Sequence, residues 1–292
     1  MTTLVIGGTG TVGQDVVRGL LRRDRSVRVL TRSQDHADTL PDGAHPVIGD
    51  LEDPATYDHI FEEVDALFLL NPVSMAELHQ GLAAFHEARR VGVDRVVYLS
   101  VHDVEKAPDA PHFAAKIGVE RALKDSGLSY TILRPNNFYQ NDHWFAEAIL
   151  EHGVYPQPLG TVGLSRVDTR DVARAAVNAL TQPGHDQKTY ALVGPDVLTG
   201  PDCAAVYAEV LDTDVAYGGD DLDAWEAQAR SMLPAWMAYD FRIMYAMFQE
   251  KGLVATDAQR DETRTILGRA PRSFRHFAPE AVAQWKTRSA AV

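Results

Sequence analysis

Cysteine, positive charge and long apolar runs are all scarce in this chain of 292 residues. A single cysteine, Cys203, leaves no disulfide framework and no cysteine-based zinc site, and no other metal site is expected. Lys and Arg number 28 against 41 Asp and Glu. The resulting net charge of −13 argues against a nucleic-acid partner, whose phosphates need a basic surface. The one basic cluster, Arg18, Arg22, Arg23, Arg25 and Arg28, lies on and just after a helical stretch and reads as a solvated face. No apolar run is long enough to span a membrane and no signal peptide is seen at the start, so a reducing cytoplasm is the expected compartment. With 45% hydrophobic and 24% charged residues, the composition is that of a globular protein with ample material for a core.

What is present concentrates at the N-terminus. Leu4-Val5-Ile6 is a short apolar run that breaks into Gly7-Gly8-Thr9-Gly10-Thr11-Val12-Gly13, followed by the helical pattern Val16, Val17, Leu20, Leu21. Val27–Thr31 reads as a second strand ending at Arg32. Strand, glycine turn and helix in this order suit a dinucleotide. One glycine makes the tight turn, another lets the backbone approach the pyrophosphate, and a third lets the helix pack on the strand. The pyrophosphate rests on the free amides and positive end of that helix. An NAD site usually carries Asp or Glu at the end of the second strand. Here Thr31-Arg32-Ser33 offers hydroxyl, guanidinium and hydroxyl, a set of donors suited to a 2′-phosphate, which favours NADP(H).

Strands and helices alternate over the first two thirds. Strands are expected at His45–Gly49, Ala66–Asn71, Arg95–Ser100, Ser129–Arg134 and Thr189–Val193, and helices near Ala55–Glu63, Met75–Val91, Pro111–Asp125 and Thr169–Leu180. This alternation predicts an α/β fold, a Rossmann-type doubly wound parallel sheet with helices on both faces. The expected division is an NADP-binding domain over 1–152. The remainder, 153–292, would return to the sheet at about 160–195 and then supply a smaller, mostly helical substrate region. Ligands in such sheets bind outside the carboxyl ends of the strands. Those ends are Gly7, Arg32, Asp50, Asn71, Ser100 and Arg134-Pro135-Asn136-Asn137, which should line one crevice.

The glycine loop, Thr31-Arg32, Gly49-Asp50-Leu51-Glu52-Asp53 and Tyr130-Thr131-Ile132-Leu133-Arg134-Pro135 together resemble the NmrA-like branch of the atypical short-chain dehydrogenases/reductases. Lys116-Ile117-Gly118-Val119-Glu120 and Val167-Asp168-Thr169-Arg170-Asp171-Val172-Ala173 strengthen the likeness, which is dense to about residue 180. The resemblance implies that Thr11 and Val12 present amides to the pyrophosphate. Asp50 would hold the adenine amine with Leu51 beside the ring, although a turn-capping aspartate fits Asp50 equally well. Asn71 and Pro72 would pass near the ribose and nicotinamide, Lys116 would contact the nicotinamide ribose, and Pro135 and Asn136 would meet the carboxamide.

Typical short-chain enzymes place a Tyr four residues before the Lys, so that both lie on one helical face, and a Ser at the end of the preceding strand. Here Ser100 and Lys116 are in place, but the Tyr position holds His112. Pro111 reads as the first helical residue, so His112 falls in the first turn, where the helix dipole disfavours imidazolium. A neutral His112 would polarise a carbonyl or orient water. A helix-start histidine without chemistry fits the pattern equally, and His102 competes for the same task.

Leu233, Met237, Phe241, Met244 and Phe248 make one helical stripe, and Trp236, Tyr239, Ile243 and Met247 a second beside it. So wide an arc either packs in the core or borders an apolar pocket. Trp236, Phe241 and Tyr245 are expected to meet substrate there, with His102, Asn137, Phe138, Tyr139 and Tyr155 approaching from the strand ends. These residues point to an NADPH-dependent reductase of a carbonyl or conjugated C=C in a bulky apolar substrate, a quinone or polyketide-like ketone. Two other classes remain open: a non-catalytic NADP(H)-sensing regulator, and an isomerase or epimerase that retains its cofactor. Lys116 favours the reductase, because a sensor has less need of a lysine at the nicotinamide ribose.

Overall fold

The computed structural model describes residues 1–289. From its start the chain alternates through β1 (Thr2–Ile6), α1 (Thr11–Leu21), β2 (Ser26–Thr31), the one-turn α2 (Gln34–Ala37), β3 (Ala44–Ile48) and α3 (Tyr57–Phe61). It continues with β4 (Ala66–Leu69), α4 (Glu77–Val91), β5 (Arg95–Leu99), α5 (Pro111–Asp125) and β6 (Tyr130–Pro135). Then come α6 (Ala146–His152), β7 (Val154–Tyr155), α7 (Thr169–Thr181), β8 (Lys188–Leu192), α8 (Gly200–Leu211) and β9 (Ala216–Tyr217). Four helices follow: α9 (Leu222–Ala229), α10 (Ala235–Lys251), α11 (Asp257–Leu267) and α12 (Phe274–Ser289).

Seven strands pair in parallel in the order β3-β2-β1-β4-β5-β6-β8, as a doubly wound Rossmann-type sheet does. The chain builds outward from β1 to β3, then crosses back and builds the other way from β4. The β1–β4 boundary is therefore the switch point at which such sheets open a crevice. Alternation within each strand sends side chains to two faces. Val5, Val29, Phe68, Val97 and Leu133 pack with α1, α7 and the end of α11, whereas Leu4, Leu30, Leu67, Tyr98 and Ile132 pack with α3, α4 and α5. Each such side chain stabilises the fold by roughly 1.5–3 kcal/mol through burial. The sheet is thus covered on both faces, as the apolar strand runs require.

The sequence places the return to the sheet only near 160–195; α11 also belongs there. Its side chains cover the outer edge of β8. Glu262 accepts from the Ala191 amide at 2.9 Å, and Thr263 Oγ1 accepts from the Val193 amide at 3.1 Å while donating to the Ala191 carbonyl at 2.8 Å. A sheet edge that would otherwise stay unpaired is closed this way.

A second core is assembled from α8, α10, α12 and the segments flanking α6 and β7. It surrounds an ion pair between Arg166 and Asp142, both fully buried, with Nη2 to Oδ1 at 2.7 Å. Burial alone would lower the Arg166 pKa, but the Asp142 carboxylate beside it holds it well above its ordinary value. The remaining polar valences are filled. Tyr155 and Tyr207 donate to Asp142 at 3.1 and 2.9 Å, and Arg166 donates to Asn137 Oδ1 and the Phe138 carbonyl, each at 2.8 Å. Rings of Tyr139 and Phe274 flank the guanidinium at 5.8 and 5.4 Å. A buried ion pair tolerates this depth only when it is so fully bonded. Among the described residues no helix is long and apolar enough to cross a membrane.

Candidate cofactor and substrate site

The glycines after β1 do different work. Gly7 has φ +81°, and a Cβ there would lie 2.5 Å from the Leu70 carbonyl oxygen. A Cβ on Gly13 would lie 2.0 Å from the Gly7 carbonyl oxygen, so this glycine brings α1 against the turn. Gly10 differs. Its φ is −83°, and a Cβ would meet only the Gly7 oxygen at 3.5 Å, leaving its outer side open. Just beyond it, the Thr11, Val12 and Gly13 amides have no acceptor among the described residues, and the first turn of α1 carries no acid and no side-chain cap. An open cradle ending in free helix N-terminal amides has the geometry and polarity for a pyrophosphate. At the end of β2, Arg32 is exposed and has no carboxylate partner among the described residues. Its guanidinium fork is free for a phosphate.

Asp50 is half-buried after β3, and its Oδ1 accepts from the Glu52 amide at 3.0 Å, leaving the other oxygen for a ligand. Leu51 is 4% exposed and packs in the core with Ile60 and Phe61, a correction to its expected place beside an adenine ring. Beyond β4, Asn71 is buried, donates to Gln80 Oε1 at 3.4 Å and leaves its Oδ1 without a partner, next to the exposed Pro72. An orphaned buried oxygen at a strand end calls for a donor from a ligand.

Lys116 and His112 stand one turn apart on α5, with Ser100 buried at the end of β5. Two carboxylates that the sequence reading missed fix this pair. Glu77, fully buried in the first turn of α4, accepts from Lys116 Nζ at 2.5 Å and keeps its second oxygen unpartnered. Asp240 on α10 accepts from His112 Nδ1 at 2.6 Å and from the His112 backbone amide at 3.1 Å. The helix dipole is therefore not the only field on His112, because a buried carboxylate faces it. Signals for both existed: helix N-termini favour acids such as Glu77, and Asp240 is the only carboxylate from Ala235 to Gln249.

Several expected contacts are engaged elsewhere. His102 is buried, and its Nδ1 accepts from Asn136 Nδ2 at 3.0 Å; burial lowers its pKa, with Asp103 opposing, so the ring is neutral. Asn136 also donates to the Leu253 carbonyl at 2.7 Å, and its Oδ1 accepts from the Asn137 amide. The Asn136 side chain thus ties loops together and has no donor left for a carboxamide. The Pro135 carbonyl likewise accepts from the His102 amide. Tyr139, Tyr155 and Tyr245 are corrections of the same kind. Tyr139 and Tyr155 are fully buried around the Arg166–Asp142 pair, and the Tyr245 hydroxyl accepts from Gln157 at 3.1 Å. Asn137 and the Phe138 carbonyl also serve Arg166. Tyr155, Asn137 and Phe138 share one reason: the internal Arg166 gathers the polar groups within its reach. Arg134, expected in the crevice, instead forks onto Glu120 at 2.8 and 2.7 Å.

Along α10 the apolar arc divides. Trp236, Met237, Phe241 and Met244 are only half covered, whereas Tyr245, Met247 and Phe248 are buried in the second core. Phe241 meets the His112 ring edge-on, with centroids 5.7 Å apart. The open end of this helix thus lies beside the α5 pair. Among the described residues no three His, Cys, Asp or Glu side chains gather as metal ligands would.

Similarity to known proteins follows the same lines. The chain is 32% identical to an NAD(P)H azoreductase of Xenophilus azovorans over 279 residues, covering 94% of this chain and 96% of that protein. It is 33% identical over 282 residues to a (4-alkanoyl-5-oxo-2,5-dihydrofuran-3-yl)methyl phosphate reductase of Streptomyces griseus, covering 95% and 96%. In fold it resembles the triphenylmethane reductase of a Citrobacter species, with a TM-score of 0.86 at 21% identity, over 97% of this chain and 100% of that one. An NADPH-dependent quinone oxidoreductase of Escherichia coli, complexed with NADPH, superposes with a TM-score of 0.85 at 23% identity, over 95% and 99%. The model of the NmrA-like family matches residues 1–278. This chain belongs to the NmrA-like family.

Proposed function

We propose that this protein is an NADPH-dependent reductase of flat, conjugated, largely apolar acceptors, a quinone or polyketide-like ketone being the expected type. The observation that carries the reading is the open cradle at Gly10, with free Thr11, Val12 and Gly13 amides, at the carboxyl edge of the sheet, where α5 with His112 and Lys116 also begins. The amides would hold the pyrophosphate, Arg32 the 2′-phosphate and Asp50 the adenine amine. Asn71, Pro72 and Lys116 would lie toward the ribose and nicotinamide. When bound, the reduced nicotinamide supplies a hydride to a carbonyl or conjugated C=C of the substrate.

The chain's own residues supply position and the proton. Glu77 fixes the Lys116 ammonium; Phe241, packed on the His112 ring, and Trp236 would border an aromatic acceptor, and His112 would offer Nε2 to its heteroatom. Holding the acceptor in this way would lower the barrier chiefly through orientation. The similar azoreductase and quinone oxidoreductase favour conjugated acceptors over isolated ketones.

The test is consumption of NADPH with a panel of quinones, aromatic ketones and azo dyes. Turnover with at least one conjugated acceptor is expected. Tight NADPH binding with no oxidation by any of them would reject the reductase and favour an NADP(H)-binding regulator.

A further inference from the structure

His112 is the second residue of α5, and Asp240 the sixth of α10; they are 7% and 2% exposed. Both oxygens of Asp240 serve this one residue, Oδ1 at 2.6 Å from Nδ1 and Oδ2 at 3.1 Å from the backbone amide. A carboxylate only accepts, so Nδ1 must carry the proton of that bond. The two contacts fix the carboxylate as well as the ring. Phe113 and Phe241 stand edge-on to the imidazole at 4.8 and 5.7 Å, blocking its rotation. Nε2 has no hydrogen-bond partner among the described residues. Other charges nearby are already matched: Lys116 by Glu77, and Arg242, further along α10, by Asp223 and Glu226.

We infer that Asp240 is a positioning residue that keeps the proton on His112 Nδ1 and so reserves Nε2 as the ring atom that gives a proton to the substrate. The inference deepens the reductase reading and rests on it for the identity of the acceptor. In the step itself, the proton on Nε2 passes to the acceptor's heteroatom and the N–H bonding pair stays on the ring. An imidazolium–carboxylate pair becomes a neutral imidazole still bound to Asp240 through Nδ1–H. Water then returns the proton to Nε2. The same carboxylate also satisfies one of the orphan amides at the start of α5, so a side chain from the helix that carries Phe241 both caps the catalytic helix and orients its histidine. The position that usually holds a phenol is thereby served by a carboxylate–imidazole pair whose acid lies 128 residues away in the chain.

Asp240→Asn tests this with almost no change of shape. An amide has one acceptor and one donor face, so it cannot accept from both the backbone amide and Nδ1–H. With its oxygen on the backbone, its NH₂ faces Nδ1 and drives the neutral ring to the Nε2–H form. Correlation of ring protons with ¹⁵N-histidine should show Nδ1–H for His112 in the wild-type protein whether or not Nε2 is protonated as well, and Nε2–H alone in the neutral ring of Asp240→Asn, with or without NADP⁺. Turnover of a quinone should fall roughly ten- to hundredfold in kcat, with KM and NADPH affinity within about twofold. His112→Ala should fall comparably, and the double variant should be no slower than His112→Ala, because the two residues act as one unit.

Losses that multiply in the double variant would make Asp240 merely structural and overturn the inference. So would a wild-type His112 protonated only at Nε2, a result that needs no variant to fold. Full activity in His112→Ala would overturn the proton role while leaving the reductase reading intact. A wild-type protein that binds NADPH but oxidises it with none of the acceptors would instead remove the reductase reading, and with it any proton for Asp240 to position.

Discussion

Alanine at Gly10 and alanine at Gly13 add the same methyl group within one turn, yet opposite outcomes follow from where each Cβ would point. At Gly10 the backbone is extended with φ −83°, and the new carbon would meet nothing in the protein closer than 3.5 Å. Folding should tolerate it. Removing a glycine from an allowed conformation gains about 0.4–1 kcal/mol through the unfolded chain, so the melting temperature should hold or rise slightly. The methyl would instead occupy the cradle over the free Thr11–Gly13 amides. Displacing a pyrophosphate from two such amides forfeits charge-assisted bonds of roughly 1.5–3 kcal/mol each, a loss of NADPH affinity of at least about a hundredfold.

At Gly13 the Cβ would sit 2.0 Å from the Gly7 carbonyl oxygen and 2.6 Å from Gly8 Cα. Both are backbone atoms, so the helix itself must move. Overpacking of this kind costs about 1–3 kcal/mol or more and should lower the melting temperature by at least several degrees. Thermal unfolding and NADPH titration on the two variants separate the effects. If Gly10→Ala bound NADPH within about twofold of wild type, the pyrophosphate would not lie over Gly10 and the cradle would have to be reassigned.

Two further outcomes are expected. Arg32→Ala should weaken NADPH about ten- to a hundredfold, the worth of a charge-assisted phosphate contact, and leave NADH unchanged; equal effects on both cofactors in calorimetry would remove Arg32 from the 2′-phosphate. His102 and His143 have pKa values lowered by burial, and each accepts a hydrogen bond at Nδ1, from Asn136 and Trp285 respectively. Below about pH 6.5 the unfolded chain binds protons at these rings more readily than the folded one, so stability is full above that value and falls as the pH drops through it. A melting temperature that stays flat between about pH 7.5 and 5.5 would contradict this.

The elements nearest the N-terminus could be read because their residues encode them locally. Val27–Thr31 and Arg95–Leu99 are β-branched and apolar runs of strand length, and Pro111 opens a helix at the position expected. Arg32 and the glycines declare themselves in the same way. The side chains that set the geometry around His112 and Lys116 do not. Asp240 and Glu77 reach them from other helices, 128 and 39 residues away in the chain, and no local pattern records such a pairing. The aromatic residues Tyr139 and Tyr155 misled for a related reason. Large rings near strand ends look alike whether they line a cleft or enclose a charge, and only the position of Arg166 decides between them. The two-residue strands β7 and β9 are simply too short to leave a periodic signal.

The buried Arg166 has a consequence for how the substrate side of the molecule comes apart. Its partners arrive from distant stretches: Asn137 to Asp142, Tyr155, Cys203 on α8 and Phe274 at the start of α12. An assembly missing any one of them leaves an ion or its hydroxyls stripped of water and incompletely bonded, at a cost of several kcal/mol. Half-docked states of these segments are therefore scarce. They open together or stay closed together, so that amide protons in α8 and α12 should exchange with solvent as one cooperative unit, on a common free-energy scale.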